Sequence, residues 1–389
     1  MNFKHPLMHN NITKDDMSCV IKFLKTNPIL TQKKNVIEFE KKWSKWLGVK
    51  YSVFVNSGSS ANFITIAAMK DSLKKKEIIT PPLTWPSDIM AVINNGFTPK
   101  FVDISLKTLS MDPDLILKNI SNKTGAIFLT HAQGFSGLSD KLLKILKKKN
   151  IKLIEDVCES HGAKHRNKKL GNYGVVSNFS FYYAHHMTTI EGGMVCTNDD
   201  ALYQKIRMFR SHGMVREATD ISLQNEFKVT YPELNPEFIF AYPAYNLRNN
   251  EIGAIIGLNQ LKSLDQIVVD RSKNQELFFE HLDGEKYQKD FLFEGSSNYA
   301  FNLILKNKDD ELMGRLVTAL DGNSIEYRRG SAGGGNQIRQ PYIKNLNLDL
   351  NPKDFSNTEH IHFYGMYIGN FPSLRSDEIK EICSVINSA

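Results

Sequence analysis

The feature that most constrains the fold is an alternation of short apolar segments and amphipathic segments over residues 50–210. The apolar segments have the length and β-branched or aromatic content of buried strands. Strands that alternate with helices usually form a sheet covered by helices on both faces. The sequence therefore predicts an α/β protein with a mixed, doubly wound sheet. The predicted strands are 51–56, 77–82, 100–104, 124–130, 151–156, 179–183 and 194–197.

The parts of the chain that flank this region predict further helices and a second unit. Residues 13–50 carry tryptophan and leucine at helical spacing, which indicates a helix. Near the C-terminus, a predicted strand at 298–305 and a helix at 311–320 indicate a smaller α+β unit. We therefore predict a large domain over residues 1–260 and a small one over 261–389.

Two strand ends carry residue types that bind anions or cations. The first strand runs into Ser-Gly-Ser-Ser and then an apolar helix, so the free amides of Gly58 and Ser59 could bind an anion at the helix N-terminus. A plain tight turn explains this segment equally well. The strand at 151–156 ends in Asp156, and open α/β sheets place ligands at the carboxyl ends of strands.

The segment 178–199 has a strand, an irregular piece with His185 and His186, a Gly-Gly turn and a second strand. This order predicts a hairpin. The residues alone leave three roles open for the histidine pair: metal ligands, a base, or a hydrogen-bonded structural pair.

Together these segments resemble the nucleotide-sugar aminotransferases of the DegT/DnrJ/EryC1/StrS family. The resemblance rests on F-S-F-x-x-x-[K]-x-x-[ST]-T-x-E-G-G, in which the bracketed lysine of the family holds pyridoxal phosphate. Counting back from Gly192 and Gly193, His185 occupies that position here. The substitution is similar to that in a small branch of the family, the pyridoxal-phosphate-dependent sugar 3-dehydratases. The resemblance implies the aspartate aminotransferase type I fold.

The resemblance implies seven cofactor-binding residues. Gly58, Ser59 and Ser180 would bind the phosphate, and Trp85 would stack on the pyridine ring. Asp156 would pair with the ring nitrogen, because a protonated pyridine is a better electron sink. Glu159 would lie beside the cofactor hydroxyl or the sugar, and the asparagine of a family segment, Asn246 here, would reach the cofactor phosphate of a partner subunit. A homodimer with a composite site is therefore expected.

Substrate contacts are expected from a second group of residues. Two arginines precede a glycine-rich loop at 330–336, which could bind a diphosphate or form a flexible surface turn. Family position favours the substrate side of the site. The expected substrate-binding residues are His186, Arg248, Arg328, Arg329, Gly335 and Asn336.

The branch resemblance implies a defined chemistry. Glutamate would convert pyridoxal phosphate to pyridoxamine phosphate, which would then condense with a nucleotide-linked 4-keto-6-deoxyhexose. His185, with an ordinary pKa of about 6.5, would move the proton that expels the C3 hydroxyl. Whole-chain similarity favours GDP-4-keto-6-deoxymannose as substrate and a place in deoxysugar synthesis for lipopolysaccharide O-antigen.

Two alternatives stay open at this stage. A family member that has lost its lysine could be a sensor or scaffold without catalysis. An aminotransferase could also use another lysine, and Lys164 and Lys168 are near in sequence. A related iron–sulfur branch is excluded within one chain, because only Cys383 follows Cys196.

Composition excludes several classes. The net charge of +7 is small for 389 residues, so nucleic-acid binding is not expected. The four cysteines show no metal-binding spacing, and we expect no metal site. No apolar run reaches the roughly 20 residues of a membrane span, and the N-terminus lacks an apolar signal region. We expect a cytoplasmic protein.

Overall fold

The computed structural model describes residues 3–389 and contains a seven-stranded sheet. Its strands are β1 (Tyr51–Val55), β2 (Glu77–Thr80), β3 (Thr98–Phe101), β4 (Thr124–Thr130), β5 (Lys152–Asp156), β8 (Val176–Ser180) and β9 (Gly193–Thr197). A separate two-stranded ribbon is formed by β6 (Lys164–His165) and β7 (Lys168–Lys169). The spatial order of the large sheet is β1-β9-β8-β5-β4-β2-β3.

All neighbouring pairs in the sheet are parallel except those of β9, which runs antiparallel to both β1 and β8. This confirms the predicted mixed sheet and the predicted pairing of the two strands around the Gly-Gly turn. The first of those strands ends at Ser180, three residues before the predicted end. The following residues leave the sheet, and the half-exposed rings of Tyr182 and Tyr183 lie in the connection.

Helices cover both faces of this sheet. The helices of this part of the chain are α1 (Lys14–Leu24), α2 (Lys34–Leu47), α3 (Gly58–Met69), α4 (Pro86–Asn94), α5 (Pro113–Asn119), α6 (Asp140–Lys149), α7 (Asp200–Arg210), α8 (Ile221–Thr230) and α9 (Glu251–Gln260). Among them, α8 has no buried residue. Successive residues of a strand point to opposite faces. Phe54 therefore packs in the core with α2, α5, α6 and α9, whereas Val53 and Val55 pack in the core with α3, α4 and α7.

The predicted helical character of residues 13–50 is present, and it is divided between two separate helices, α1 and α2. Pro28 lies in the connection and has no amide hydrogen to continue a helix. The carboxylate of Glu251 accepts hydrogen bonds from the amides of Lys33, Asn35 and Val36 at 2.9–3.0 Å, which satisfies the start of α2. The region 214–245 contains α8 and two 3₁₀ segments.

The C-terminal part has its own antiparallel sheet in the order β10-β12-β11. Its elements are α10 (Leu264–His281), β10 (Ala300–Ile304), α11 (Asp310–Gly322), β11 (Tyr327–Arg329), α12 (Pro341–Lys344), α13 (Ser356–Tyr364), β12 (Gly365–Gly369) and α14 (Ser376–Asn387). A separate apolar core joins Phe301, Leu316 and Ile379. The predicted α+β character is present, and the domain boundary at residue 260 stays a prediction.

Short 3₁₀ segments occur in the connections. They are Ala132–Gly134, Val215–Glu217, Pro236–Phe238, Ala332–Gly334, Gln337–Arg339 and Pro352–Asp354.

Candidate active site

A cavity of about 430 Å³ lies at the carboxyl edge of the large sheet. The strands β1, β4, β5 and β8 all end at this edge, so the residues at or just after their ends meet there. Eight of the fourteen predicted site residues line the cavity. They are Gly58, Ser59, Trp85, Asp156, Glu159, Ser180, His185 and Arg328.

One end of the cavity is built from hydrogen-bond donors. Ser57 caps α3 by accepting a hydrogen bond from the amide of Ser60 at 3.0 Å. The amides of Gly58 and Ser59 make no hydrogen bond within residues 3–389, because the first amides of a helix have no acceptor in the preceding turn. A Cβ at Gly58 would lie 2.5 Å from the Cβ of Ser180. Glycine therefore allows the helix N-terminus to approach the hydroxyl of Ser180, and this group of donors can bind a phosphate.

The cavity also has a buried carboxyl group and an exposed aromatic ring in its lining. Asp156 ends β5, and its side chain accepts hydrogen bonds from Asn62 Nδ2 at 2.7 Å and from the amide of Cys158 at 2.8 Å. The indole of Trp85, 56% exposed, lies on the cavity at the start of α4. A flat ring and an anion on the same cavity match a planar, basic aromatic ligand.

His185 lies in the connection between β8 and β9 and faces the cavity. A turn in which its amide donates to the carbonyl of Tyr182 at 3.0 Å holds the segment. Its Nδ1 is buried and has no hydrogen-bond partner among the described residues. Burial lowers the pKa of His185 from 6.5 to about 4; the charge of Asp156 opposes this shift and that of Arg271 adds to it. The imidazole is thus neutral at pH 7 and can accept a proton.

The low pKa of His185 differs from the value near 6.5 that the sequence led us to expect. Desolvation disfavours the charged imidazolium, and the sequence motif gave no measure of that burial. A base with a pKa of about 4 is unprotonated across the whole neutral range.

Glu159 is another titratable residue that lines the cavity, and its pKa is also shifted. Burial raises its pKa to about 7, although the hydrogen bond from the amide of Gln133 at 2.9 Å opposes the shift, and the charge of Asp156 raises it further. Glu159 therefore changes protonation near neutral pH and can donate or accept a hydrogen bond.

The family model that describes DegT/DnrJ/EryC1/StrS aminotransferases matches residues 10–387. The chain belongs to that family. His185 is the residue that the sequence motif predicts at the family's lysine position, and it lines the cavity. The fold class expected from the resemblance is confirmed, because solved structures of the family share it over nearly the whole chain.

Three proteins similar to this chain over nearly its whole length are named as 3-dehydratases. GDP-4-keto-6-deoxy-D-mannose 3-dehydratase of Yersinia pseudotuberculosis is 31% identical over 387 residues, covering 98% of each chain. A structure of the E. coli GDP-4-keto-6-deoxy-D-mannose-3-dehydratase with bound hydrated PLP has a TM-score of 0.89 at 29% identity and covers 99% of this chain and 100% of that one. A GDP-4-keto-6-deoxymannose-3-dehydratase with a trapped PLP–glutamate geminal diamine has a TM-score of 0.88 at 29% identity, covering 98% and 100%.

The cavity of this family member fits pyridoxal phosphate on its own residues. Unpartnered amides at Gly58 and Ser59 suit a phosphate, and the carboxylate of Asp156 suits a protonated ring nitrogen. The unpartnered Nδ1 of His185 is a free polar atom on the same cavity. These hydrogen-bond donors and acceptors match the phosphate and the ring nitrogen of the cofactor, and none of them requires a covalent bond between the protein and the cofactor.

His186 lies off the cavity, unlike its neighbour. Its Nε2 is 3.0 Å from the carbonyl oxygen of Ser297, and burial lowers its pKa well below 6.5. The ring of a further buried histidine, His161, has its centroid 5.9 Å from that of His185 and 5.5 Å from that of His186. His186 thus supports the wall behind the cavity in this structure.

The two residues of the Asn-x-Arg segment lie on the surface. Asn246 and Arg248 are exposed, and Arg248 Nε donates to Asn246 Oδ1 at 3.1 Å. Neither lines the cavity of its own chain.

The glycine-rich loop approaches the cavity through a different residue from the one expected. Gly333, which has φ +59°, lines the cavity, and a Cβ there would lie 2.2 Å from the carbonyl oxygen of Thr84. Gly335 has φ +97° and packs against His362. Asn336 Nδ2 donates to Glu359 at 2.7 Å, so this side chain shapes the loop.

The two arginines before the loop point to different surroundings. Arg328 lines the cavity, whereas Arg329 Nη2 donates to the carbonyl oxygen of Phe363 at 2.7 Å. Adjacent residues of β11 face opposite sides of the strand, which explains the division.

Sequence patterns did not predict several cavity residues. Arg271 of α10 is buried, and its Nη1 donates to the carbonyl oxygen of Tyr299 at 2.6 Å; burial lowers the pKa of its guanidinium to about 10. Both residues line the cavity, with Tyr182 and Tyr367. Arg271 lies in an ordinary amphipathic helix, and only the tertiary fold brings it to the site.

Within residues 3–389, no cluster of three or more His, Cys, Asp or Glu side chains is arranged to bind a metal ion. No helix in the same range has the length and apolar character that a membrane crossing requires.

Proposed function

We propose that this protein is a pyridoxal-phosphate-dependent dehydratase that removes the C3 hydroxyl of GDP-4-keto-6-deoxymannose. One observation carries the proposal. His185, which the motif predicts at the family's cofactor-binding lysine position, faces the cavity, and no lysine among the described residues lines that cavity. The named relatives with this activity are similar over nearly their whole length.

The proposed cofactor site uses three groups of side chains and amides. Gly58, Ser59 and Ser180 bind the phosphate. Trp85 packs on the ring, and Asp156 pairs with the ring nitrogen. When bound, the cofactor supplies an amino-group carrier and an electron sink.

His185 moves protons at the carbon that bears the transferred amine. Its neutral imidazole accepts the proton, and electrons then flow towards the sugar, whose C3 hydroxyl leaves. Glutamate ends as 2-oxoglutarate and ammonia, and the sugar product has one oxygen fewer, so glutamate supplies the two electrons of the reduction. The glutamate adduct of a similar enzyme supports this amino donor.

An imidazole suits this outcome better than an amine would. Lysine can bond covalently to the cofactor and can reprotonate the bound sugar, which favours delivery of an amine. Histidine transfers a proton and forms no such bond. The product can then be released as a ketone with loss of ammonia.

The lysines considered as substitutes lie away from the cavity. Lys164 is exposed on β6, and Lys168 Nζ donates to the carbonyl oxygen of Asn172 at 2.9 Å. This arrangement argues against an aminotransferase that uses either side chain.

We also propose that Arg328 contacts the diphosphate of the substrate, with Glu159 beside the cofactor hydroxyl or the sugar. Arg328 lies on β11 and lines the same cavity as Asp156, and a guanidinium pairs well with phosphate oxygens. His186, Arg329, Gly335 and Asn336 would act by shaping the walls around the substrate.

A homodimer with a composite site is part of the proposal. The segment from α8 to Asn246 exposes many apolar side chains, which is typical of an interaction surface. No residue of α8 is buried, and the exposed side chains include Ile221, Val229, Phe238, Phe240 and Tyr245. Asn246 and Arg248 border this surface and would reach the partner's cavity.

Subunit complementation tests the composite site. A mixture of the inactive variants His185→Asn and Asn246→Ala should regain activity, because a mixed dimer has one site with both native residues. No recovery after confirmed exchange of subunits would refute it. The cytoplasmic location stays a prediction, to be tested by cell fractionation.

Mass spectrometry of the product tests the function. The protein is incubated with pyridoxal phosphate, glutamate and GDP-4-keto-6-deoxymannose, and a nucleotide sugar lighter by one oxygen is expected, with 2-oxoglutarate and ammonia. The variant His185→Asn should bind cofactor and form no such product, whereas the double variant Lys164→Ala/Lys168→Ala should be unchanged. A 4-amino sugar would mean transamination. No reaction with any donor or keto sugar would favour the alternative of a non-catalytic sensor or scaffold.

A further inference from the structure

A second buried carboxyl group lies behind the carboxylate that faces the cofactor site. Asp88 of α4 is 0% exposed and does not line the cavity. Nothing in the proposed reaction uses it. A buried carboxyl group must be neutral, paired or well hydrogen-bonded, so its contacts indicate what it does.

Asp88 and Asp156 share one donor. Nδ2 of Asn62 donates to Asp88 Oδ1 at 2.6 Å and to Asp156 Oδ2 at 2.7 Å, and Ser87 Oγ lies farther from the same nitrogen, at 3.1 Å. Asn62 lies on α3 and is itself 0% exposed. The two carboxyl groups are therefore held side by side by a single amide nitrogen.

The other oxygen of Asp88 is fixed by two hydroxyls. Thr84 Oγ1 donates to Asp88 Oδ2 at 2.7 Å, and Thr130 Oγ1 donates to the same oxygen at 2.5 Å. With Oδ2 occupied by these donors, Oδ1 is the oxygen on the side of Asp156.

Charges around the pair decide its protonation. Burial raises the pKa of Asp88 well above 3.8, and the charge of Asp156 and a hydrogen bond to it raise it further. The other titratable groups that face Asp88 are Cys158 and Tyr342, whose own pKa values are raised by burial. Within residues 3–389 no cation faces Asp88, and two adjacent buried carboxyl groups without a nearby cation do not both ionise.

We propose that Asp88 is a positioning residue for Asp156: an uncharged carboxylic acid that donates a hydrogen bond to Asp156. The pair then carries one negative charge, fixed on the side of the cofactor's ring nitrogen. A hydrogen bond donated to a carboxyl group favours the charged form of the group that accepts it. The inference rests on the cofactor assignment of the proposed function.

The proton on Asp88 is tested by ¹³C NMR of the holoprotein labelled at its aspartate carboxyl carbons. One buried aspartate should stay protonated at pH 7, and its resonance should disappear in Asp88→Asn. Should that variant not fold, contacts of the resonance with the Thr84 and Thr130 side chains assign it in the wild type. A wild-type spectrum with no protonated aspartate at pH 7 overturns the inference.

The effect on the cofactor is tested with ¹⁵N-labelled pyridoxamine phosphate. Asp88→Asn keeps a neutral donor and should leave the titration of the ring nitrogen unchanged. Asp88→Leu removes the donor to Asp156, so binding should weaken by about 10- to 100-fold and the pKa of the ring nitrogen should fall. Ile89→Val, which removes a buried methyl group from the same helix, should keep the wild-type titration.

The outcomes separate this inference from the proposed function. Wild-type binding and titration in Asp88→Leu would overturn the role of Asp88 while leaving the dehydratase assignment intact. A wild-type protein that binds no pyridoxamine phosphate would instead refute the proposed function itself.

Discussion

The substitution Gly58→Ala tests whether the close approach of α3 to β8 builds the phosphate site. An added Cβ would lie 2.5 Å from Ser180 Cβ and 2.9 Å from Ser180 Oγ, and 3.1 Å from the sulfur of Cys158. The backbone at Gly58 has no positive φ, so the conflict is one of space alone. Overpacking of this kind costs about 1–3 kcal/mol of unfolding free energy.

The same displacement should weaken cofactor binding. Helix α3 must move away from Ser180, so a phosphate can no longer contact the amides of Ser59 and the hydroxyl at the same time. Loss of one hydrogen bond to a charged group costs about 1.5–3 kcal/mol, or roughly 10- to 100-fold in Kd. Calorimetric titration of the apoprotein with pyridoxamine phosphate measures the affinity, and urea unfolding measures the stability.

Two further variants separate space from other effects. Gly314 lies inside α11, and a Cβ there would meet nothing within 4 Å, so Gly314→Ala should stabilise the protein by about 0.5–1 kcal/mol. In Gly58→Ala/Ser180→Gly the crowded side chain is removed, and much of the lost stability should return while affinity stays low. Wild-type stability and affinity in Gly58→Ala would refute the steric argument.

Three more predictions concern the cavity. NMR titration of the apoprotein should place the pKa of His185 near 4, since burial disfavours its cation; a midpoint near 6.5 would contradict that burial. The raised pKa of Glu159, about 7 against 4.5 unfolded, means that its contribution to stability falls as pH rises from 4.5 to 7. Relative to wild type, the unfolding free energy of Glu159→Gln in urea should therefore rise by about 1–3 kcal/mol between these pH values. This range is reduced because the side chain borders the open cavity. Equal slopes of unfolding free energy against pH in the two proteins would contradict the prediction. Trp85→Ala should weaken pyridoxamine phosphate binding by at least about 3- to 10-fold through lost stacking, while Trp85→Phe should restore most of it; equal affinity in both variants would exclude stacking.

Local motifs allowed part of the site to be predicted from the sequence. Gly58, Asp156 and Ser180 each lie at or just after a strand end, and parallel strands of one sheet end at one edge. A correct strand assignment was therefore enough to bring them together. His185 followed by counting from the Gly-Gly turn. The start of α2 escaped this reasoning because the carboxylate that accepts its first amide hydrogens, Glu251, is more than 200 residues away along the chain.

Residues that depend on long-range packing could not be predicted in this way. Arg271 reaches the cavity from α10, where it donates to the carbonyl oxygen of Tyr299, and Asp88 and Asp156 are brought side by side by Asn62 on a third element. In the loop at 330–336, the pattern of glycines did not reveal that Gly333, rather than Gly335, packs on Thr84. Side-chain direction in such a loop is set by its positive φ angles, which the sequence only permits.

The exchange of lysine for His185 changes what the rest of the cavity must do. A lysine would hold the cofactor by a covalent bond, whereas an imidazole adds no such bond, so affinity must come from contacts alone. In the proposed function, the free amides of Gly58 and Ser59 would bind the phosphate. Asp156 would supply the charged contact to a protonated cofactor ring. In this proposal, the buried hydrogen bonds of Asp88 and Asn62 to Asp156 and the neutral base His185 belong to the same site, which would bind the cofactor firmly without a covalent bond.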